Sequence, residues 1–318
     1  MIVSTDMNIQ QLNDQFGLGG DLRFVEHSSG LIIAVVDNNL ARAKLCFQGA
    51  HLMSWHPHSS DMPVIWLSDD VQLAPGSPKR GGAPICWPWF GTHPHYEADR
   101  SLPAHGFART VPWQMVESAV EADGATRVVF KMADRRQAQD RQQWPYPSEV
   151  VVTMVIGDTL KISLATTNTG SEDFVLSEGL HTYFQISDIE NVTVTGLDGC
   201  EYLDKTRNFE RLRQQGDIRF DGETDRVYVN TESTCHIDDP VFNRRIRVAK
   251  RGSRTTVVWS PWVMKAAIMG DLGPNNGWRR MVCVESVNAS DNEVTVKSGD
   301  THTLEVEYSS MPYEPTAP

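Results

Sequence analysis

Polar and apolar residues alternate through Thr303-Leu304-Glu305-Val306-Glu307-Tyr308, so that every second side chain suits a core. Successive side chains of an extended chain point to opposite faces, and this period of two marks a half-buried strand. Short runs rich in β-branched residues recur at 31–36, 127–130, 150–156, 160–166, 192–195, 226–229, 246–248, 255–259, 281–287 and 294–296. Turn signals such as Gly157-Asp158, Asn168-Thr169-Gly170 and Lys297-Ser298-Gly299-Asp300 fall between them. Helical patterns are few: one over 134–143, stopped before Trp144-Pro145, and a weaker one over 5–16. Nothing alternates strand with long helix, so a parallel α/β sheet is not expected. Many closely spaced strands predict an all-β fold, a large antiparallel two-sheet sandwich. Strand signals cross every candidate boundary and no repeat or linker interrupts them. One domain over 1–318 is expected, with a short N-terminal extension (about 1–20) and a flexible tail at 312–318.

Composition narrows the partners. Lys and Arg number 29 against 41 Asp and Glu, a net charge of −12, and no lysine-rich run offsets it. Such a surface repels nucleic acid and anionic membranes, so neither is an expected partner. The five cysteines, Cys46, Cys86, Cys200, Cys235 and Cys283, are odd in number and contain no C-x-x-C pair. Neither a disulfide framework nor a zinc knuckle follows, and most sit among apolar residues as expected for buried thiols. The first twenty residues carry no signal-peptide pattern, and the aliphatic run at 31–36 is too short to span a bilayer. A reducing cytoplasm and a monomer are the expectations.

The chemistry concentrates between Arg80 and Arg109. The segment Arg80-Gly81-Gly82-Ala83-Pro84-Ile85-Cys86-Trp87-Pro88-Trp89-Phe90-Gly91 is followed, past a polar loop, by Leu102-Pro103-Ala104-His105-Gly106-Phe107-Ala108-Arg109. Guanidinium forks match phosphate or carboxylate oxygens, glycine lets backbone approach a ligand, and tryptophan offers a flat face. One arginine beside one glycine is more often a turn with a surface charge. The whole set favours an anion-binding pocket.

Two further segments hold polar groups where the period demands a core. In Ser177-Glu178-Gly179-Leu180-His181-Thr182-Tyr183-Phe184, an extended chain puts His181 on the face of Tyr183. A lone histidine in such a run is more often structural. In Met281-Val282-Cys283-Val284-Glu285-Ser286-Val287, Glu285 sits on a strand that is apolar on both faces. Burying a carboxylate is costly without a partner, so Glu285 is either functional or half of a buried ion pair. Together His181 and Glu285 make an acid–base couple suited to neutral pH. No G-x-S-x-G elbow, P-loop or dinucleotide fingerprint occurs. His56-Pro57-His58 and His93-Pro94-His95 read as loops, since no third ligand stands near, and no metal is expected.

The ordered set R-G-G-x-P at 80–84, P-A-H-G-F-A-R at 103–109, L-H-T-Y-F at 180–184, D-I-E at 188–190, V-V-W-S-P-W at 257–262 and C-V-E at 283–285 resembles the hexose-6-phosphate mutarotases. These are glucose-6-phosphate 1-epimerases of the aldose 1-epimerase superfamily. The resemblance covers about 49–307 and implies the galactose mutarotase-like supersandwich. It implies a cofactor-free enzyme that interconverts the anomers of a hexose phosphate, with His181 and Glu285 catalytic. Arg80 and Arg109 would grip the phosphate, Asp204 would contact the sugar and His105 would line the pocket. Where some relatives carry a substrate-binding glutamine, this chain has Ala104, which offers no side-chain hydrogen bond. Three other readings compete. A mutarotase of free sugars needs no paired arginines, and a non-catalytic carbohydrate-binding sandwich built on Trp87, Trp89, Trp259 and Trp262 needs no Glu285. A glycoside hydrolase needs a second carboxylate where His181 stands.

Overall fold

The computed structural model describes residues 7–93, 102–133, 143–272 and 274–315. Among them, two eight-stranded sheets carry the architecture. The backing sheet runs Thr193–Thr195, Cys235–Asp239, Arg244–Arg251, Thr301–Pro312, Thr159–Asn168, Ser148–Ile156, Thr126–Met132 and Trp113–Val120, all antiparallel. Its strands alternate as their sequences require: along Thr159–Asn168, Leu160, Ile162, Leu164 and Thr166 are buried between less buried neighbours.

The site sheet runs Glu210–Arg213, Glu201–Asp204, Thr224–Tyr228, Thr255–Ser260, Met281–Asn288, Glu178–Leu180 and Ile85–Cys86, and Tyr183–Gln185 also pairs with Met281–Asn288. Its middle strands, Thr255–Ser260 and Met281–Asn288, are buried at every position. A strand covered on one face alternates; one covered on both reads as a continuous buried run. One face meets the backing sheet, where Thr182 bonds the Tyr308 hydroxyl at 2.8 Å and Phe184 packs edge-on against the Tyr308 ring. The register Phe184↔Val282 puts Val282 and Val284 on that same face. The opposite face, bearing residues 181, 183, 283 and 285, is roofed by loops and a short helix. That roof makes the site.

A third sheet of four strands, Leu22–Glu26, Ile32–Asp37, Ala41–Cys46 and His51–Pro57, holds the N-terminal part. Helix α1 (Ile9–Phe16) starts at residue 9 because Asn8 and Gln11 cap each other's backbone amides, both at 2.9 Å. Its Leu12 and Phe16 are buried in the main core, and the Asn13 side chain bonds the backbone of Phe24. The N-terminal extension is therefore docked from residue 9 onward.

Helix α2 (Trp262–Met269) was not expected. It is apolar nearly throughout, with Val263, Met264 and Ile268 exposed, so no polar face reveals its period. The predicted helix over 134–143 falls almost wholly on 134–142, outside the described residues. The expected tail begins later than read: Pro312 still pairs with Arg244, and the Tyr313 amide donates to Asn243 at 3.1 Å. Four cysteines are buried and Cys200 is half-buried, all five as free thiols.

Candidate active site

Strand register brings the two sequence-predicted catalytic residues together. Leu180 pairs with Ser286 and Tyr183 with Cys283, which leaves His181 opposite Glu285 on the neighbouring strand. His181 Nδ1 lies 3.4 Å from Glu285 Oε2, and neither atom has a hydrogen-bond partner. The His181 ring is held by packing. It stacks on Tyr183 at 4.9 Å and 8°, meets Trp259 edge-on at 5.8 Å, and lies 5.3 Å from the His105 ring.

Glu285 is 1% exposed, and its missing partner separates the two readings a buried carboxylate allows. Glu178, seven residues from the end of the 84–90 loop's pairing strand and also fully buried, is the ordinary case: its Oε1 lies 3.2 Å from His302 Nε2 and its Oε2 accepts from Thr166. Glu285 has no such ion pair. Burial, reinforced by the nearby Asp225 charge, pushes its carboxyl well above the usual range. Burial, then the charges of His105, Arg109 and Arg80, pushes His181 well below the usual histidine value. Both groups are driven toward their neutral forms.

The couple floors a cavity of about 190 Å³ lined by Arg80, Phe90, His105, His181, Lys205, Asp225, Val257, Trp259, Lys265, Met269 and Glu285. Arg80 reaches it from a turn that only glycines permit: Gly81 and Gly82 have φ of +99° and +75°, and a Cβ on Gly82 would lie 2.3 Å from the Leu52 carbonyl. The Arg80 Nε donates to both oxygens of Asp271 at 3.1 Å and its Nη1 to the Tyr183 hydroxyl at 3.1 Å. Those bonds fix the guanidinium plane in front of the couple.

His105 enters on a second sharp turn, with φ of +65° and +68° at His105 and Gly106. A Cβ on Gly106 would sit 2.0 Å from the Trp87 carbonyl oxygen, which instead accepts from the Phe107 amide at 3.0 Å. The Gly91 amide donates to His105 Nδ1 at 3.2 Å, which assigns the ring proton to Nε2. Burial and the charges of Arg109, Lys205 and Arg80 hold His105 near a pKa of about 3. It is a neutral hydrogen-bond donor to the cavity.

Two predicted residues lie elsewhere. Asp204 pairs with Arg226, and adjacent residues on a strand face opposite ways, so Asp204 and Asp225 point to opposite faces of the sheet. Asp204 Oδ1 is taken by the Thr206 amide and hydroxyl at 3.0 and 2.6 Å, and it does not line the cavity. Asp225 does, paired across the sheet with Trp259 and bridged to Lys205 at 3.0 Å. Arg109 is also absent from the lining, its Nη2 donating to the Ala104 carbonyl at 2.7 Å, although its charge reaches His181 and His105. Lys205 and Lys265 supply cavity cations that the sequence reading missed. Trp87 and Trp89 are core residues bonded to Thr166 and Pro103, not stacking platforms; only Trp259 of the four tryptophans named above lines the cavity.

The signal for Asp225 was present. The strand read as 226–229 begins at Thr224, and the reasoning that singled out Glu285 applies equally to a carboxylate on that strand. Of the His-Pro-His pairs, His56 and His58 are engaged by the carbonyls of Ser60 and Asn39 and His93 packs on Trp89, while Pro94 and His95 lie outside the described residues. The set that does bring metal-type donors within 4.8 Å of one another is His181, Cys283 and Glu285.

Fold and site together define a class: an antiparallel sandwich with a desolvated histidine–carboxylate couple beneath a cation-lined cavity. Residues 32–309 match the family model described as aldose 1-epimerase, and the chain belongs to that family. It is 35% identical over 273 residues, 86% of this chain and 88% of the other, to an Escherichia coli (strain K12) protein named "Putative glucose-6-phosphate 1-epimerase". A crystal structure titled as a "putative mutarotase" from Salmonella typhimurium superposes with a TM-score of 0.82 at 32% identity, covering 92% of this chain and 94% of that one. A galactose mutarotase-like protein from Lactobacillus casei ATCC 334 shares the fold at 16% identity, with a TM-score of 0.65 over 88% of this chain and all of that one (100%).

Proposed function

We propose that this chain interconverts the α and β anomers of an aldohexose 6-phosphate, with glucose 6-phosphate as the substrate. The observation that carries the reading is His181 facing Glu285 at 3.4 Å on the floor of a cavity lined by Arg80, Lys205 and Lys265. The names borne by the relatives support the same substrate.

In ring opening, the Glu285 carboxylate takes the proton of the C1 hydroxyl while protonated His181 gives one to the ring oxygen. The C1–ring oxygen bond breaks and C1 becomes the aldehyde carbon. Rotation about C1–C2 presents the other carbonyl face. On closure neutral His181 takes the proton from the C5 hydroxyl as its oxygen attacks C1, and Glu285 returns its proton to the C1 oxygen. The couple holds one proton throughout, first on His181 and then on Glu285. No electrons or groups are exchanged with a second reactant. Each proton transfer assisted in this way contributes roughly 10²–10⁴-fold.

Arg80 meets the phosphate, and the neighbouring cations Lys205, Lys265 and Arg109 raise the local potential that the −12 chain otherwise opposes. Asp225, His105 through Nε2–H, and the Trp259 ring take the sugar. The decisive experiment is anomer exchange followed by NMR with glucose 6-phosphate, glucose and galactose. The reading requires kcat/KM for the phosphate ester to exceed that for either free sugar. Equal rates on all three would make the chain a general aldose mutarotase, and no acceleration of any would remove the activity.

A further inference from the structure

We propose that His181, Cys283 and Glu285 form an inhibitory site for one thiophilic divalent cation of the Zn²⁺ or Cd²⁺ kind. The proposal rests on the catalytic reading of His181 and Glu285 only for its effect on rate, and on geometry for the binding itself.

Cys283 and Glu285 are two residues apart on one strand and so share a face, and His181 stands opposite Glu285 on the next. One donor atom from each lies within 4.8 Å of the others. Glu285 and Cys283 are buried, at 1% and 0% exposure, and His181 Nδ1 and Glu285 Oε2 have no hydrogen-bond partner. Two unpartnered donors and a sulfur thus converge on one point. A tetrahedral zinc centre with ligand distances of about 2.0–2.3 Å places its donors roughly 3.3–3.8 Å apart. The three side chains reach that spacing by small rotations about their own bonds.

Imidazole, thiolate and carboxylate together suit borderline and soft cations, while Mg²⁺ and Ca²⁺ require six or more oxygen ligands. Three protein ligands leave the fourth position to the cavity, where a sugar hydroxyl or water would stand. A cation there occupies the lone pair of His181 and the carboxylate of Glu285, so neither can pass a proton to the sugar. Cys283 has no part in the epimerisation steps, and its thiol confers the metal sensitivity.

The test uses the full chain in a non-chelating buffer, with ZnCl₂, CdCl₂ and MgCl₂ added to the glucose 6-phosphate exchange assay, and CoCl₂ read by absorbance. Zn²⁺ and Cd²⁺ should inhibit at one ion per chain while Mg²⁺ does not, and Co²⁺ should give a thiolate-to-metal charge-transfer band that glucose 6-phosphate diminishes. Cys283→Ser should retain exchange without metal, lose the band and need at least about tenfold more Zn²⁺ for inhibition. Cys200→Ser, at the half-buried thiol, should behave as the parent. Absence of the band in the parent, or a band and zinc sensitivity unchanged in Cys283→Ser, overturns the proposal. The Co²⁺ readout needs no turnover, so a chain inactive on every sugar would sink the functional reading while leaving this site open to test. Should Cys283→Ser fail to fold, the competition between Co²⁺ and glucose 6-phosphate in the parent still decides.

Discussion

Replacing Glu285 by glutamine should cripple turnover and stabilise the protein, and both effects follow from one fact: a carboxylate buried without a partner. The amide keeps the shape of the side chain and is placed to donate to His181 Nδ1, now 3.4 Å from Oε2. It cannot accept the anomeric proton, so kcat/KM should fall by about 10²–10⁴, or about 2.7–5.4 kcal/mol of transition-state stabilisation. The stability effect has a definite sign. The folded pKa of Glu285 lies above the ordinary 4.5, so the native state binds this proton more tightly than the unfolded chain. Its contribution is fully present below pH 4.5 and is lost as pH rises toward the folded value. Each pH unit within that window removes up to about 1.4 kcal/mol from the parent and nothing from the glutamine variant. Urea unfolding at a series of pH values, with NMR anomer exchange on the same samples, measures both. The two stability curves should converge near pH 4.5 and separate above it, with the variant the more stable. Near-parental exchange would remove Glu285 from the mechanism, and parallel stability curves would refute the desolvation argument.

Burial inverts the usual order of the couple, lowering His181 and raising Glu285, so the single-proton state that turns over lies between a His181 limb on the acid side and a Glu285 limb on the basic side. The kcat/KM profile should therefore be bell-shaped, with residual activity of His181→Asn lacking the acid limb and that of Glu285→Gln lacking the basic one; the opposite assignment would refute the inverted order. Arg80→Ala should raise KM for glucose 6-phosphate by roughly 10- to 150-fold, as expected for one charge-assisted contact of about 1.5–3 kcal/mol, and change KM for glucose far less. Arg109→Ala should shift KM in the same direction, and equal effects on both sugars would sink the phosphate assignment. Gly106→Ala should lower stability by at least about 1–3 kcal/mol for its left-handed backbone alone, before the clash with the Trp87 carbonyl, as measured by thermal unfolding.

Much of the architecture was legible because strand alternation is a local property. Runs such as Thr159–Asn168 and Thr301–Pro312 carry their period in adjacent residues, and Glu285 stood out because a charge interrupted a strand apolar on both faces. The Asn8–Gln11 capping box was likewise written in neighbouring residues. Helix α2 was hidden because its apolar residues run all the way round, leaving no face to detect. What only the tertiary structure decided is which residues share the cavity. The choice of Asp225 over Asp204 depends on which strand face meets the site, and a shift of one residue reverses it. The presence of Lys205 and Lys265 in the lining, and of Arg109 outside it, depends on loops and a helix folding over the sheet from distant parts of the chain. The ionisation of the couple is also a property of the fold. A histidine and a glutamate are named by the sequence, but the desolvation that drives both toward neutrality arises only when two sheets and their roof close around them.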